Sequence, residues 1–235
     1  KPKFIFKKNS PTILKKRFVD HISQSKIIGS YNLNDEILDK QNEKKLNTIL
    51  NKEIKKHDLV IVSDYGHGFI SKKIAGKICK KANFLALNAQ VNASNIGYHT
   101  IANYKNFNTL VINEKEIRHE MRDKNSKTEI LMKKLSLERN IHNLIVTKGK
   151  EGSIMYQKSK NRFCYSAAFA NKVLDKVGAG DTMLSLVAPS LKMKLDSEIT
   201  LLIGSLAAAQ SVEIIGNKHK INKLKMIKTL ESFLR

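Results

Sequence analysis

The chain has no tryptophan, two cysteines and only 21 acidic residues among 235, and each shortage excludes something. Cys79 and Cys164 are too few and too isolated for a disulfide framework or a metal cage. Each reads as a reduced, partly buried thiol, and nothing calls for an oxidising compartment. No Cys-x-x-Cys occurs, His119-Glu120 is followed by Asp123 where a zincin needs His, and no Gly-x-x-x-x-Gly-Lys-[Ser/Thr] phosphate loop is present. No apolar run reaches the roughly 18 residues of a membrane span, and Lys1 to Lys8 lacks the apolar centre of a signal peptide. The expectation is a cytoplasmic protein with no membrane contact.

The scarcity of acids leaves 43 Lys and Arg against 21 Asp and Glu, a formal charge of +22. Such a charge raises nucleic acid as a partner. Yet the lysines are spread over almost every segment, and aromatic side chains for stacking on bases are scarce. Abundant Lys, Asn and Ile read instead as a bias of composition, and nucleic acid is disfavoured. A field this positive still draws anionic nucleotides and sugar phosphates.

The length suits one α/β domain better than two. Phe4 to Phe6, Thr12 to Leu14 and Lys26 to Tyr31 read as short strands, so residues 3 to 31 form a small separate β element. Asn34 is a candidate cap for a helix carrying Ile37, Leu38, Leu46, Ile49, Leu50 and Ile54 on one period. From residue 58, apolar runs at 59–62, 84–87, 110–112, 144–146 and 153–156 alternate with helical patterns at 71–81, 114–121 and 127–139. Strands separated by helices imply parallel pairing with helices on both faces and ligands at the carboxyl ends. Helices are expected over 179–194, 197–215 and 220–234, the first kinked at Pro189 and the second stopped at Gly216-Asn217.

Five segments carry candidate chemistry. In Asp175-Lys176-Val177-Gly178-Ala179-Gly180-Asp181, glycines free a tight turn before a helix, whose open amides and dipole suit a phosphate. Asp181, in the first helical turn, is placed to take a proton from an incoming hydroxyl, which suggests phosphoryl transfer to an alcohol. The plain alternative is an Asp that stabilises an ordinary helix start. Ser63-Asp64-Tyr65-Gly66-His67-Gly68 puts a carboxylate, Asp64, and a flexible turn with Gly66 at a strand end, and His67 reads as a surface histidine. Asn88, Gln90 and Asn92 end the next strand with carboxamides suited to sugar hydroxyls, or form a polar loop. Asn113 and Glu116 have capping-box spacing. Thr147-Lys148-Gly149-Lys150-Glu151-Gly152 is either a β-turn or a backbone approach to a nucleotide, with Lys148 and Lys150 favouring phosphates.

Asp-x-Val-Gly-Ala-Gly-Asp over 175–181 resembles the C-terminal signature of the ribokinase-like (phosphofructokinase B type) carbohydrate kinases. The Asp64 to Gly68 turn is similar to that of the family's heptose-phosphate kinase branch, associated with cell-surface polysaccharide synthesis. The resemblance implies a three-layer α/β/α sandwich, with a partial β lid at 1–33 and a kinase core at 34–235. It implies ATP and Mg²⁺ as cofactors, and a sugar or sugar phosphate as the other partner. Asp181 would be the catalytic base, and Gly178, Ala179 and Gly180 the anion hole. Thr147, Lys148, Gly149, Gly152 and Ser205 would face the nucleotide. Asp64, Gly66, Asn88, Gln90 and Asn92 would face the sugar. Asn113 and Glu116 would hold magnesium through water. Asp175 and the carbonyls near Val177 and Gly216 would take K⁺.

Three features depart from the family. Ser205 stands where many relatives carry Asn, the chain opens on Lys1, and the family's earlier strands, with a sugar-binding Asp and a Gly-Gly pair, are not in it. The sequence therefore reads as a piece of a longer protein, which alone should bind ATP weakly, phosphorylate nothing at a useful rate and tend to self-associate, as a homodimer or otherwise. The alternatives are a kinase-derived piece that only binds nucleotide or a partner, and a basic nucleic-acid-binding protein.

Overall fold

The computed structural model describes residues 1–22, 26–90, 101–217 and 220–234. Two sheets organise them. β1 (Leu14–Val19) and β2 (Lys26–Asn32) form a separate antiparallel pair. Their apolar residues Phe18, Ile27 and Ile28 are exposed. The expected strand over Phe4 to Phe6 does not form: Phe4 and Phe6 lie at the surface, and only Ile5 packs toward the core.

The larger sheet runs β3 (Val60–Asp64), β4 (Leu85–Ala89), β5 (Phe107–Asn113), β6 (Ile141–Thr147), β7 (Ser153–Gln157) and β8 (Arg162–Ser166), in that order. β3 through β6 are parallel, with helices crossing over from β3 to β4 and from β5 to β6. β7 and β8 turn back antiparallel, because the links on either side of β7 are too short for a crossover. β8 is an addition to the elements expected.

Strand alternation sorts the core into two layers. Leu85, Leu87, Leu110, Ile112, Leu144 and Val146 face one side. There they meet Leu46 of α1 (Lys40–Glu53), Ile74 and Ile78 of α2 (Lys72–Lys81), Ile117 of α3 (Glu114–Met121), and Leu131, Met132 and Leu135 of α4 (Thr128–Arg139). Ala86, Val111, Ile145 and Met155 face the other side, against Met183, Leu184 and Val187 of α5 (Ala179–Lys192) and Leu201 of α6 (Ser197–Val212). Each large side chain buried this way contributes about 1.5–3 kcal/mol. α7 (Lys223–Leu234) packs outside α6 through Met226 and Leu230. The result is the expected α/β sandwich with a mostly parallel sheet.

Several ends differ from expectation for local reasons. α1 starts at Lys40, because the Asp39 carboxylate accepts from the amides of Gln41 and Asn42, while Asn34 instead holds the amide of Glu36. α6 stops at Val212, before Gly216, because the amides of Leu174 and Asp175 close on the Val212 carbonyl. α5 contains Pro189 and continues to Lys192. Cys79 and Cys164 are free thiols, and burial pushes both up in pKa. Among the described residues no helix is long and apolar enough to cross a membrane.

Candidate active site

Because β3 to β6 are parallel, Asp64, Asn113 and Thr147 end their strands along one rim of the sheet, with Asn88 next to last in β4. The amino end of α5 points to that rim. Gly178 caps α5 with φ +86, a left-handed conformation that a side chain would strain, and no side chain caps the helix. The first hydrogen bond of the helix runs from the Thr182 amide to the Gly178 carbonyl. The amides of Ala179, Gly180 and Asp181 therefore have no acceptor within it.

Asp181 is half-buried in the first turn of α5. Ser63 Oγ donates to its Oδ1 at 3.2 Å, and Tyr65 Oη donates to its Oδ2 at 3.1 Å. Burial, then the negative charge of Asp181 and the hydrogen bond to it, push the Tyr65 phenol up to about 12. Tyr65 is thus a neutral donor at any physiological pH. Beside them, a Cβ on Gly180 would stand 3.2 Å from Asn88 Nδ2, so the amide of Asn88 borders the turn. Asn88 is itself buried.

Asp64 points the opposite way. It is 5% exposed. Its Oδ1 accepts from the Gly66 amide at 3.0 Å and its Oδ2 from Tyr104 Oη at 2.7 Å. Burial and the Asp64 charge hold the Tyr104 phenol far above its ordinary range. This carboxylate anchors the turn from within. His67, expected at the surface, is buried, with Nδ1 2.6 Å from Asp35 Oδ1. A carboxylate only accepts, so the ring nitrogen donates. Gln90 joins the same rim through its amide, which donates to the Asp64 carbonyl at 2.9 Å. Asn92 lies outside the described residues.

Farther along the rim, Asn113 pairs in register with Thr147. Asn113 Oδ1 accepts from the Glu116 amide at 2.9 Å, and Glu116 Oε2 accepts from the Asn113 amide at 2.8 Å. The capping box is complete. Glu116→Ala is expected to cost about 1 kcal/mol in urea unfolding, the usual worth of a cap. A change within about 0.3 kcal/mol, well below that of a lost cap, would show that the reciprocal bond contributes nothing. Lys148 is paired with Glu151 at 2.5 Å, so its charge is already partly answered, and the hydrogen bond to Glu151 raises its pKa. Gly149 has φ +61 and open space where a Cβ would stand. Gly152 has φ +85, and a Cβ there would fall 2.0 Å from the Ser166 carbonyl. Ser205 is 7% exposed and shares a 2.9 Å hydrogen bond with Ser153 of β7. Its hydroxyl serves the contact between α6 and the sheet.

Asp175, Val177 and Gly216 lie together in the fold. Asp175 Oδ1 accepts from the Val177 amide at 3.0 Å and Oδ2 from the Gly216 amide at 3.2 Å. One carboxylate thus joins the approach to α5 with the segment beyond α6. Sequence reasoning placed Asp181 but missed Ser63 and Tyr65 as its partners. Their only signal was position, Ser63 near the carboxyl end of β3 and Tyr65 just past it.

The fold is that of ribokinase-like proteins. It resembles phosphofructokinase-2 from Escherichia coli, solved in complex with potassium, with TM-score 0.70 and 12% identity over 90% of this chain and 67% of that one. It also resembles Arabidopsis thaliana ribokinase complexed with ribose and ATP, with TM-score 0.66 and 16% identity over 95% of this chain and 70% of that one. Residues 5–223 match the pfkB family carbohydrate kinases, and the chain belongs to that family. Its relatives include a bifunctional protein HldE of Campylobacter concisus, 32% identical over 67% of this chain and 33% of that protein. A second is HldE of Aliarcobacter butzleri, 26% identical over 97% of this chain and 50% of that protein. The chain thus spans at most about half the length of these relatives.

Proposed function

We propose that this chain carries the site of an ATP-dependent kinase that phosphorylates a hydroxyl of a sugar or sugar phosphate. One observation carries the reading: a carboxylate, Asp181, stands at a helix amino end whose amides lack acceptors, at the carboxyl rim of a parallel sheet. Asp181 accepts the proton of the acceptor hydroxyl, while the amides of Ala179 and Gly180 stabilise charge on the transferring phosphoryl group. Positioning and electrostatics of this kind are most of what phosphoryl transfer asks of a protein. Asn88 and Gln90 border the acceptor, Asp64 and Gly66 shape the turn beside it, and Thr147, Lys148 and Gly149 border the nucleotide.

Among the described residues there is no cluster of three or more metal-ligating side chains. That fits Mg²⁺, which binds through one or two carboxylates and otherwise keeps water and phosphate oxygens. Glu116, buried at the rim beside Asn113, would be the protein's share. When bound, the ion neutralises phosphate charge. Asp175, joined to the Val177 and Gly216 amides, fits the border of a K⁺ site formed by nearby carbonyls, and the fold neighbour solved with potassium supports this. The β1–β2 hairpin is the proposed lid. The Asp64 to Gly68 turn and the likeness to HldE proteins support a heptose phosphate as acceptor.

The test is to follow ADP release by the full natural protein with ATP, Mg²⁺ and a panel of hexoses, heptoses and their phosphates. Turnover is expected with a sugar phosphate, and faster in potassium than in a bulky organic cation. ATP binding without turnover on any acceptor would overturn the kinase reading. Equal rates in the two cations would remove the K⁺ site.

A further inference from the structure

We propose that Tyr65 is a positioning residue that, with Ser63, holds Asp181 turned toward the acceptor and away from the amides that receive the phosphoryl group. The inference rests on Asp181 being the base. An aspartate in the first turn of a helix has a competing place to go: it can fold back and accept from the open amides of its own helix, where negative charge is favoured. Doing so would fill the anion hole with a carboxylate and spend the base.

In this structure its two oxygens are instead claimed separately, Oδ1 by Ser63 and Oδ2 by Tyr65. Each carboxylate oxygen keeps a second lone pair, so an acceptor hydroxyl can still donate to the oriented group. Strand alternation explains why these two residues reach it: Ser63 and Tyr65 project to the α5 side, and Asp64 between them projects inward to Tyr104.

The turn that presents the phenol is clamped at both ends. Asp64 holds its start through the Gly66 amide and Tyr104. His67 pairs with Asp35, and the Leu38 amide donates to the Gly68 carbonyl at 3.2 Å, which holds its end. Lys15 of β1 lies over the Tyr65 ring, 5.9 Å from its centroid. That is within reach of a cation–π contact. The donor is therefore set in place before substrate arrives, and a base held in line is worth far more than one that must find its orientation.

The test uses Tyr65→Phe, Asp181→Asn and the double variant of the full natural protein. Tyr65→Phe is expected to lower kcat about tenfold with little change in acceptor KM, as loss of orientation rather than of binding predicts. In the Asp181→Asn background it should cost nothing more, because its effect passes through that carboxylate. Independently of activity, ¹³Cζ-tyrosine NMR at neutral pH should show the Tyr65 resonance, identified by its loss in Tyr65→Phe, moving in Asp181→Asn while the other tyrosines stay in place. An unchanged kcat in Tyr65→Phe beside an inactive Asp181→Asn overturns this proposal alone. So does a rise in acceptor KM at constant kcat, or a Tyr65 resonance indifferent to Asp181→Asn. Full turnover in Asp181→Asn overturns the base reading itself.

Discussion

Asp181→Asn is expected to cut turnover by at least about a hundredfold while leaving ATP affinity little changed, as loss of a general base implies. The substitution keeps the shape of the side chain and an oxygen able to accept from Ser63 or Tyr65, so the turn and α5 should stay in place. What it removes is the basicity that, on the proposed reading, takes the proton from the acceptor. ATP, by contrast, is expected to meet backbone amides that the change does not alter. Steady-state ADP release measures the first effect and calorimetric titration with ATP the second. Comparable turnover in the variant would take Asp181 out of the chemistry, and a large loss of ATP affinity would mean that its carboxylate had been organising the nucleotide side.

The second large effect is expected at Gly152, and it separates two roles that one glycine-rich turn suggested together. Gly152→Ala places a methyl 2.0 Å from the Ser166 carbonyl and within 3.0 Å of the Ala167 backbone, at φ +85. Neither neighbour is a flexible side chain that can swing aside. A loss above about 3 kcal/mol is expected, since backbone strain at a forbidden φ and a clash in a packed interior add. Gly149→Ala meets nothing within 4 Å and should cost only about 1 kcal/mol for its own positive φ. Its effect should fall on ATP affinity instead, because the open side of that turn is where a nucleotide would approach. Urea unfolding and ATP titration of both variants test the division, and equal stabilities would dissolve it.

The fold was readable where hydrophobic runs speak for themselves. Leu144-Ile145-Val146 and Leu110-Val111-Ile112 are buried on both faces, as parallel central strands must be, and their apolar continuity announces it. β8 was not foreseen, since Arg162-Phe163-Cys164-Tyr165-Ser166 mixes a charge, two aromatics and a hydroxyl with no long apolar run. It becomes a strand because β7 offers it an edge. The cap of α1 was placed at Asn34 because both Asn34 and Asp39 are good capping residues, and the choice between them is made by which amides each side chain reaches. At the site, the turn before α5 could be read from its own glycines. The partners of Asp181 could not, because Tyr65 precedes it by 116 residues and only the folded sheet brings them together. His67 was misplaced for the same reason, since its burial depends on Asp35, 32 residues earlier.

The two halves of the large sheet also differ in how far the chain must travel to close them. From β6 to β8 each strand meets the next after a tight turn, Thr147 beside Ser153 and Gln157 beside Arg162. From β3 to β4 and from β5 to β6 the pairing waits for helices to be spanned, Val60 finding Leu85 and Leu110 finding Leu144. Loop-closure entropy therefore weighs on the parallel half, and refolding is expected to be slowest there. That half carries Ser63, Tyr65 and Asn88. The proposed acceptor side of the rim is then expected to become competent last.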